Sequence, residues 1–150
     1  ALRIVADAEI QTDPILYCVA RPITFPIDSK MIQYILKKSP LNMGVADTGN
    51  ITVQLNLVNV GTAQILTIPG EALPNIGYYV KRNMPTRHPF LFGLTNDALG
   101  YILAKVDFNS FRRYDYISRT SLGEMTGEIY MEEALRLVKD SPKPDNPPAK

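Results

Sequence analysis

Alternating hydrophobic and polar residues predict the strands of this chain. Within residues 51–57 every second residue is apolar, which is the pattern of a strand with one buried face. A short apolar run at 62–68 follows a turn, so these two strands are predicted to form a hairpin. Two further strand segments are predicted at 15–20 and 23–27. Arg21-Pro22 between them indicates an edge strand or a bulge, because proline cannot donate a ladder hydrogen bond.

Helical spacing of apolar residues predicts two or three helices. Asp28 or Ser29 can cap the first helix, which ends before Pro40. A second helix follows Gly70, and its buried side is predicted to hold Leu73, Ile76, Tyr79 and Val80. A third covers residues 128–139. Strands interspersed with these helices predict a mixed α/β fold of the α+β-like kind, with the helices packed on a largely antiparallel or mixed β-sheet.

Length and composition favour one domain. A chain of 150 residues that is 45% hydrophobic can bury a sizeable core, and residues 1–140 are predicted to form it. Residues 141–150 are proline-rich and are predicted to be an extended or disordered tail. The chain begins at Ala1 in what resembles the last turns of a helix, which favours the interpretation that it is a fragment.

The charge balance limits the kinds of partner. Sixteen basic and 15 acidic residues give a net charge of +1, so the composition predicts neither a nucleic-acid partner nor a polybasic membrane surface. No apolar run reaches the roughly 18 residues of a spanning helix. Cys18 is the one cysteine, so no internal disulfide can form, and a buried structural thiol is predicted. No signal peptide is visible, which favours the cytoplasm.

The stretch T-I-P-G-E at residues 67–71 carries the first candidate for chemistry. It places Glu71 where an apolar strand stops and an amphipathic helix is predicted to start. A carboxylate at a helix N-terminus is favoured by roughly 0.3–1 kcal/mol, and mixed α/β folds build clefts beyond strand ends. The local pattern by itself favours the interpretation that Glu71 is only a helix-start residue.

A second block predicts another strand and turn. Residues 89–97 indicate a buried strand that runs into a polar turn, and a further apolar run starts at Gly100. Asn96 and Asp97 are typical turn residues that tolerate unusual backbone angles. His88, the one histidine of the chain, is predicted to lie in a loop before this strand.

Taken in order, these stretches resemble a known family. T-I-P-G-E, G-L-T-N-D-x-x-G-Y-I and the later Arg113-Tyr114-Asp115 … Ser121-Leu122-Gly123 resemble the neutral/alkaline ceramidases. Members of that family are zinc-dependent amidohydrolases that cleave the N-acyl bond of ceramide. The resemblance runs from about Ala1 to Lys139. It implies that the chain is the C-terminal half of a larger ceramidase-like catalytic domain.

The resemblance also implies roles for particular residues. Glu71 and Tyr101 correspond to metal ligands, and Tyr114 corresponds to a catalytic tyrosine that contacts the substrate, with Tyr116 as the alternative. Asn96 is the candidate substrate-binding residue. A tyrosine can ligate a metal because a cation in contact with its oxygen favours the phenolate.

The same resemblance implies that the site is incomplete in this chain. The family's two histidine ligands and its catalytic serine precede the part of the domain that this chain resembles. Zinc is therefore expected only with the N-terminal half, and the isolated chain is expected to be inactive. The expected partner is that N-terminal half or a second copy in a homo-oligomer. Two alternatives stay open: a non-catalytic binding or structural module of the same fold, and a hydrolase of another N-acyl or lipid-like substrate.

Overall fold

Short helices and strands alternate along the chain. The computed structural model describes residues 2–8, 10–40 and 48–144. Within these ranges the chain forms six strands and five α-helices, in the order α1 (Leu2–Ala6), β1 (Leu16–Pro26), α2 (Lys30–Lys38), β2 (Asn50–Val60), β3 (Ala63–Thr67), β4 (Glu71–Ala72), α3 (Pro74–Arg82), β5 (His88–Phe92), β6 (Tyr101–Ile102), α4 (Asp115–Arg119) and α5 (Thr126–Asp140). Two 3₁₀ turns, Lys105–Asp107 and Arg112–Tyr114, lie between β6 and α4.

The main sheet is mixed, as the sequence predicts. Its strand order is β1-β2-β3-β5, with β1, β2 and β3 antiparallel and β5 parallel to β3. The predicted hairpin is formed by β2 and β3. β1 lies at one edge and pairs residue for residue with β2, so the two predicted segments are one continuous strand without a bulge. An edge strand can hold Pro22 because its nitrogen need not donate to a neighbour.

One face of this sheet is covered by helices. The alternation predicted for β2 is confirmed, since Ile51, Val53, Leu55 and Leu57 are all buried. α5, which extends the predicted 128–139 helix by a few residues, contacts β1, β2 and α3. Tyr130 of α5 is fully buried, and its hydroxyl donates a hydrogen bond of 3.2 Å to the Thr67 carbonyl oxygen.

The opposite face of the sheet is largely open and carries one apolar row across its four strands. The register aligns Cys18, Val58, Ile65 and Phe90 across the four strands. The strand and turn predicted within residues 89–97 are present, but the predicted burial is wrong, because Phe90 and Phe92 are 46% and 48% exposed and β5 is an edge strand. The prediction of a buried Cys18 is wrong for the same reason, because its thiol lies on this open face.

Two local predictions also need correction, whereas the first helix is as expected. His88 is the first residue of β5, paired with Ala63, rather than a loop residue. Tyr79 is exposed on α3, whose buried residues are Ile76 and Val80. α2 begins after Ser29, whose hydroxyl accepts a hydrogen bond from the Ile32 amide, as predicted.

The start of the predicted tail contacts the body of the protein. The Asn59 side-chain amide donates a 2.8 Å hydrogen bond to the Pro142 carbonyl oxygen, and Pro144 is buried. Residues 145–150 lie outside the described part of the chain.

Replacing Tyr130 by phenylalanine tests the buried hydroxyl. Loss of the bond to the Thr67 carbonyl oxygen should lower the free energy of unfolding by about 1 kcal/mol.

Burial raises the pKa of Tyr130, so the folded state holds this proton more tightly than the unfolded state does. Stability should then fall as pH rises above the ordinary tyrosine value near 10, and less steeply in the variant. Urea unfolding from pH 7 to 11 measures both effects. Exposed Tyr34→Phe is the control, and identical pH profiles for Tyr130→Phe and wild type would refute the assignment.

Candidate functional site

Two short strands bring Glu71 and Tyr101 together. β4 and β6 pair in parallel, and Glu71 and Tyr101 are direct partners in their register. The Glu71 amide donates to the Gly100 carbonyl oxygen at 2.9 Å, and the Leu73 amide donates to the Ile102 carbonyl oxygen at 3.0 Å. On the other side of β6, the Tyr101 amide donates to the Thr120 carbonyl oxygen at 3.3 Å.

Glu71 does not lie at a helix N-terminus, contrary to the sequence prediction. α3 begins at Pro74 with Leu73 as its N-cap, and Glu71 belongs to the strand before it. Pro69 and Gly70 end β3, but the chain pairs with β6 before it turns into the helix. The helix dipole therefore does not explain the position of the carboxylate, whose paired neighbour is a tyrosine.

The first two of the three sequence blocks that carry the resemblance pack against each other. The segment after β5 folds over the T-I-P-G-E stretch, and both follow the carboxyl ends of the adjacent parallel strands β3 and β5. Four backbone hydrogen bonds join them: Ile68 N to Phe92 O, Leu94 N to Gly70 O, Thr95 N to Ile68 O, and Leu99 N to Pro69 O. The turn geometry of one block thus sets the position of the other.

Two glycines permit the close approach of β4 and β6. A Cβ atom on Gly70 would lie 2.5 Å from the Gly100 carbonyl oxygen, too close for any other residue without movement of the backbone. Gly100 has φ +86°, a conformation that favours glycine, and its added Cβ would overlap the Thr120 carbonyl oxygen. The glycines before Glu71 and Tyr101 are therefore required by packing.

The contact between Glu71 and Tyr101 determines the electrostatics of the two side chains. The negative charge of Glu71 raises the pKa of Tyr101, with further contributions from burial, from Tyr116 and from a hydrogen bond to the Glu71 carboxylate. The Tyr116 ring packs edge-to-face on Tyr101, with 5.9 Å between centroids and an interplanar angle of 72°. Two adjacent oxygen groups that repel as anions would both be stabilised by a cation between them.

A cleft of about 580 Å³ adjoins Glu71. Its walls are largely apolar, with Lys81 and Tyr78 contributed by α3; the apolar lining includes Ile68, Ala72, Leu73, Pro74, Leu91 and Leu94. The sequence analysis does not identify Lys81 as part of this wall. The helical spacing of Gly77, Tyr78 and Lys81 was the available signal.

Tyr114 and Tyr116 occupy different surroundings. Tyr114 ends a 3₁₀ turn, and its ring packs edge-to-face on Phe111 with centroids 5.6 Å apart. The Arg113 guanidinium lies 5.4 Å from both ring centroids. Tyr116, the alternative in the sequence analysis, is the tyrosine that contacts Tyr101.

Asn96 and His88 have structural partners. Asn96 has φ +70°, and its side-chain amide reaches the Gln54 carbonyl oxygen at 3.5 Å, so it has the turn geometry that the sequence predicts. His88 pairs with Ala63 at the amino end of β3, and its Nδ1 lies 3.1 Å from the Thr62 hydroxyl. The length of β3, at about 3.3 Å per residue, separates His88 from the end of the strand that leads to Glu71.

The residues present fit part of a metal site. A catalytic zinc ion takes about three protein ligands and keeps an open position. The Glu71 carboxylate and the Tyr101 hydroxyl are suitable oxygen donors on neighbouring strands. In the described ranges, however, no three side chains of His, Cys, Asp or Glu gather closely enough to hold a metal ion. The described chain therefore offers two adjacent donors and no complete ligand set.

Comparison with known proteins shows what the fold resembles. No family model matches the sequence, and a comparison with curated proteins finds no match. The crystal structure of neutral ceramidase from Pseudomonas aeruginosa matches with a TM-score of 0.59 and 14% identity, over 85% of this chain and 29% of that chain. A ceramidase complexed with C2 matches with a TM-score of 0.51 and 18% identity, over 61% of this chain and 16% of that one.

These similarities establish a ceramidase-like fold. They cover less than a third of each ceramidase chain, and at such low identity they define architecture alone. In the part of the chain that the structure describes, no helix is both long and apolar enough to cross a membrane.

Replacing Gly70 by alanine tests the close approach of β4 and β6. The new methyl group would press on the Gly100 carbonyl oxygen, and the resulting overpacking should lower the free energy of unfolding by about 1–3 kcal/mol. Gly77→Ala is the matched control, because its Cβ would meet only Leu91 Cδ1 at 3.7 Å. In a helix interior that change should stabilise by roughly 0.5–1 kcal/mol. Equal stabilities of both variants in urea unfolding would contradict the packing argument.

The Tyr101 phenol can be titrated in metal-free buffer. Subtracting the 295 nm absorbance titration of Tyr101→Phe from that of wild type isolates this group from the other tyrosines. Its midpoint should lie above the ordinary value near 10. Glu71→Gln should lower the midpoint, because it removes the charge that disfavours the phenolate. Asp13→Asn, at an exposed site before β1, serves as the control. A midpoint unchanged by Glu71→Gln would show that the two groups do not interact.

Proposed function

We propose that the chain is the C-terminal part of a ceramidase-like, zinc-dependent amidohydrolase that cleaves an N-acyl bond. The observation that carries the proposal is the direct pairing of Glu71 with Tyr101 beside a largely apolar cleft. The resemblance assigns metal ligation to these two residues, which lie on different sequence blocks. Their pairing brings two oxygen donors from separate blocks side by side.

Amide hydrolysis at neutral pH needs an activated nucleophile, charge stabilisation at the carbonyl oxygen and a proton for the leaving amine. A bound zinc ion supplies the first two, by lowering the pKa of its water to about 7 and polarising the carbonyl. Glu71 would contribute the anionic ligand and Tyr101 a second oxygen. The remaining ligands, two histidines by resemblance, would come from the N-terminal half.

The substrate would meet other residues of this chain. Tyr114 would contact it near the metal and donate its hydroxyl proton in a hydrogen bond; Tyr116, which packs on Tyr101, is the alternative for that role. Asn96 would contact the substrate from the turn after β5. The apolar walls of the cleft suit an acyl chain, and Lys81 stands in the same wall.

The open sheet face supports the need for a partner. Its row of Cys18, Val58, Ile65 and Phe90 offers an apolar surface to a second layer. We propose that the N-terminal half of the same protein, or a second copy of the chain, packs there. Either would bury the exposed Phe90 and Phe92 rings.

A second candidate has its own support. The absence of a group of three metal-binding side chains from the described residues favours a non-catalytic binding or structural module that keeps this fold. A hydrolase acting on a different N-acyl or lipid-like substrate is the third, because a fold does not determine the substrate.

Zinc titration by calorimetry separates these functions. The 150-residue chain alone should bind zinc weakly or not at all, and a protein that carries the N-terminal half should bind it. In that protein Glu71→Gln should reduce affinity by more than the roughly 10–100-fold that loss of an outer-shell partner costs, because an anionic ligand becomes a neutral amide. Tyr101→Phe should reduce it less, and Asp97→Asn should leave it unchanged.

The same preparations distinguish the two tyrosines. Tyr114→Phe should lower turnover of an N-acyl substrate while zinc affinity is retained. If Tyr116→Phe lowers turnover instead, the catalytic role belongs to the tyrosine beside Tyr101. Unchanged zinc affinity in Glu71→Gln would end the metal assignment, and absence of any zinc binding in the longer protein would favour the non-catalytic module.

A further inference from the structure

α2 is an amphipathic helix with an apolar face that has no partner among the described residues. It spans Lys30–Lys38, and none of its nine residues is buried. Ile32 and Leu36 are partly buried and pack against the core. On the other side Met31, Tyr34 and Ile35 are 41%, 64% and 53% exposed. Because these three stand at i, i+3 and i+4, they form one continuous strip.

Positive charge accompanies this strip. Lys30, Lys37 and Lys38 are exposed, and α2 contains no acidic residue. None of the three lysines forms an ion pair within the part of the chain that the structure describes. The chain as a whole has a net charge of only +1, so the positive charge of α2 is a local feature that the overall balance conceals.

The two residues that precede α2 are hydrogen-bonded to the segment that adjoins β6. The Asp28 and Ser29 amides both donate to the Leu122 carbonyl oxygen, at 2.8 and 2.9 Å, and the Ser29 hydroxyl donates to the Arg119 carbonyl oxygen at 3.3 Å. The same segment supplies the Thr120 carbonyl oxygen that accepts from the Tyr101 amide. These hydrogen bonds therefore position the start of α2, and with it the exposed face of the helix, relative to β6.

We propose that the exposed face of α2 docks on the surface of an anionic lipid bilayer. Met31, Tyr34 and Ile35 would enter the boundary between headgroups and acyl chains, while the lysines bind the anionic headgroups. Tyr34 suits that boundary because its ring is apolar and its hydroxyl remains hydrated. This docking surface does not depend on the hydrolase proposal.

Charge complementarity selects the bilayer over a second copy. A two-fold contact through α2 would bring its own lysines together with those of the other helix, since both partners use the same patch. The positive charges of the two sets of lysines would repel each other and oppose the association. An anionic bilayer offers the opposite charge and an apolar layer beneath it.

Vesicle sedimentation with the 150-residue chain tests the proposal. Binding is measured to phosphatidylcholine vesicles and to vesicles with about 30 mol% phosphatidylglycerol, in about 0.1 M and about 0.5 M NaCl. The chain should bind the anionic vesicles and release at the higher salt. Each lysine near the surface is worth roughly fivefold, so Lys30→Gln/Lys37→Gln/Lys38→Gln should weaken partitioning by roughly 100-fold. Met31→Ser/Ile35→Ser should weaken it by removing the inserted side chains.

Two control variants make the result specific to α2. Lys105→Gln/Lys139→Gln/Lys143→Gln removes three exposed lysines elsewhere and should bind like wild type. Phe90→Ser/Phe92→Ser removes exposed apolar rings from the open sheet face and should also bind like wild type. Circular dichroism verifies that each variant is folded, which is expected because the changed side chains are not buried.

Three results would overturn the inference. The first is equal binding to neutral and anionic vesicles. The second is unchanged binding by the α2 lysine variant. The third is lipid-free dimerisation, seen by ultracentrifugation, that Met31→Ser/Ile35→Ser abolishes, with no vesicle binding by wild type. None of these measurements uses zinc or turnover, so failure of the hydrolase proposal would leave a positive result intact.

Discussion

The parallel pairing of β3 with β5 is the constraint on which the candidate site depends. Parallel strands end at the same edge of a sheet, so the stretches that follow Thr67 and Phe92 must leave it together. The backbone bonds between these stretches then set the turn at Gly70 against the turn that contains Leu94. β4 and β6 form beyond that junction, and their register makes Glu71 and Tyr101 neighbours. Mixed α/β folds place their ligands outside the carboxyl ends of parallel strands for the same reason.

The pattern of the sequence predicts those elements whose environment has a simple period. β2 has one buried face, so its alternation indicates both its type and its orientation. α5 packs one side on the sheet, and its helical spacing is equally readable. β4 and β6 are two residues long, too short to show any period, so the sequence predicts Glu71 at the start of the following helix rather than in a strand.

Burial was harder to predict than strand type. Cys18 and Phe90 are apolar residues in strands, and such residues are usually buried when both faces of the sheet are covered. Here they lie on the face that remains open, which no local pattern can reveal. The contact between Tyr101 and Tyr116 is likewise tertiary: it depends on the Thr120 carbonyl oxygen reaching β6. The resemblance suggested which residues matter, whereas only the fold could show which of them meet.

The two edges of the main sheet differ in how they resist unwanted pairing. β1 carries Pro22 and Pro26, and its Arg21 is held by Asp140 at 2.8 Å, features that discourage another strand from adding there. β5 has only Pro89 near its start, followed by Phe90, Leu91 and Phe92, and among the described residues its outer edge has no partner strand. Exposed apolar edge strands are templates for aggregation. The isolated chain should therefore stay soluble only if the outer edge of β5 is covered soon after it forms. Covering that edge would then matter for solubility as well as for activity.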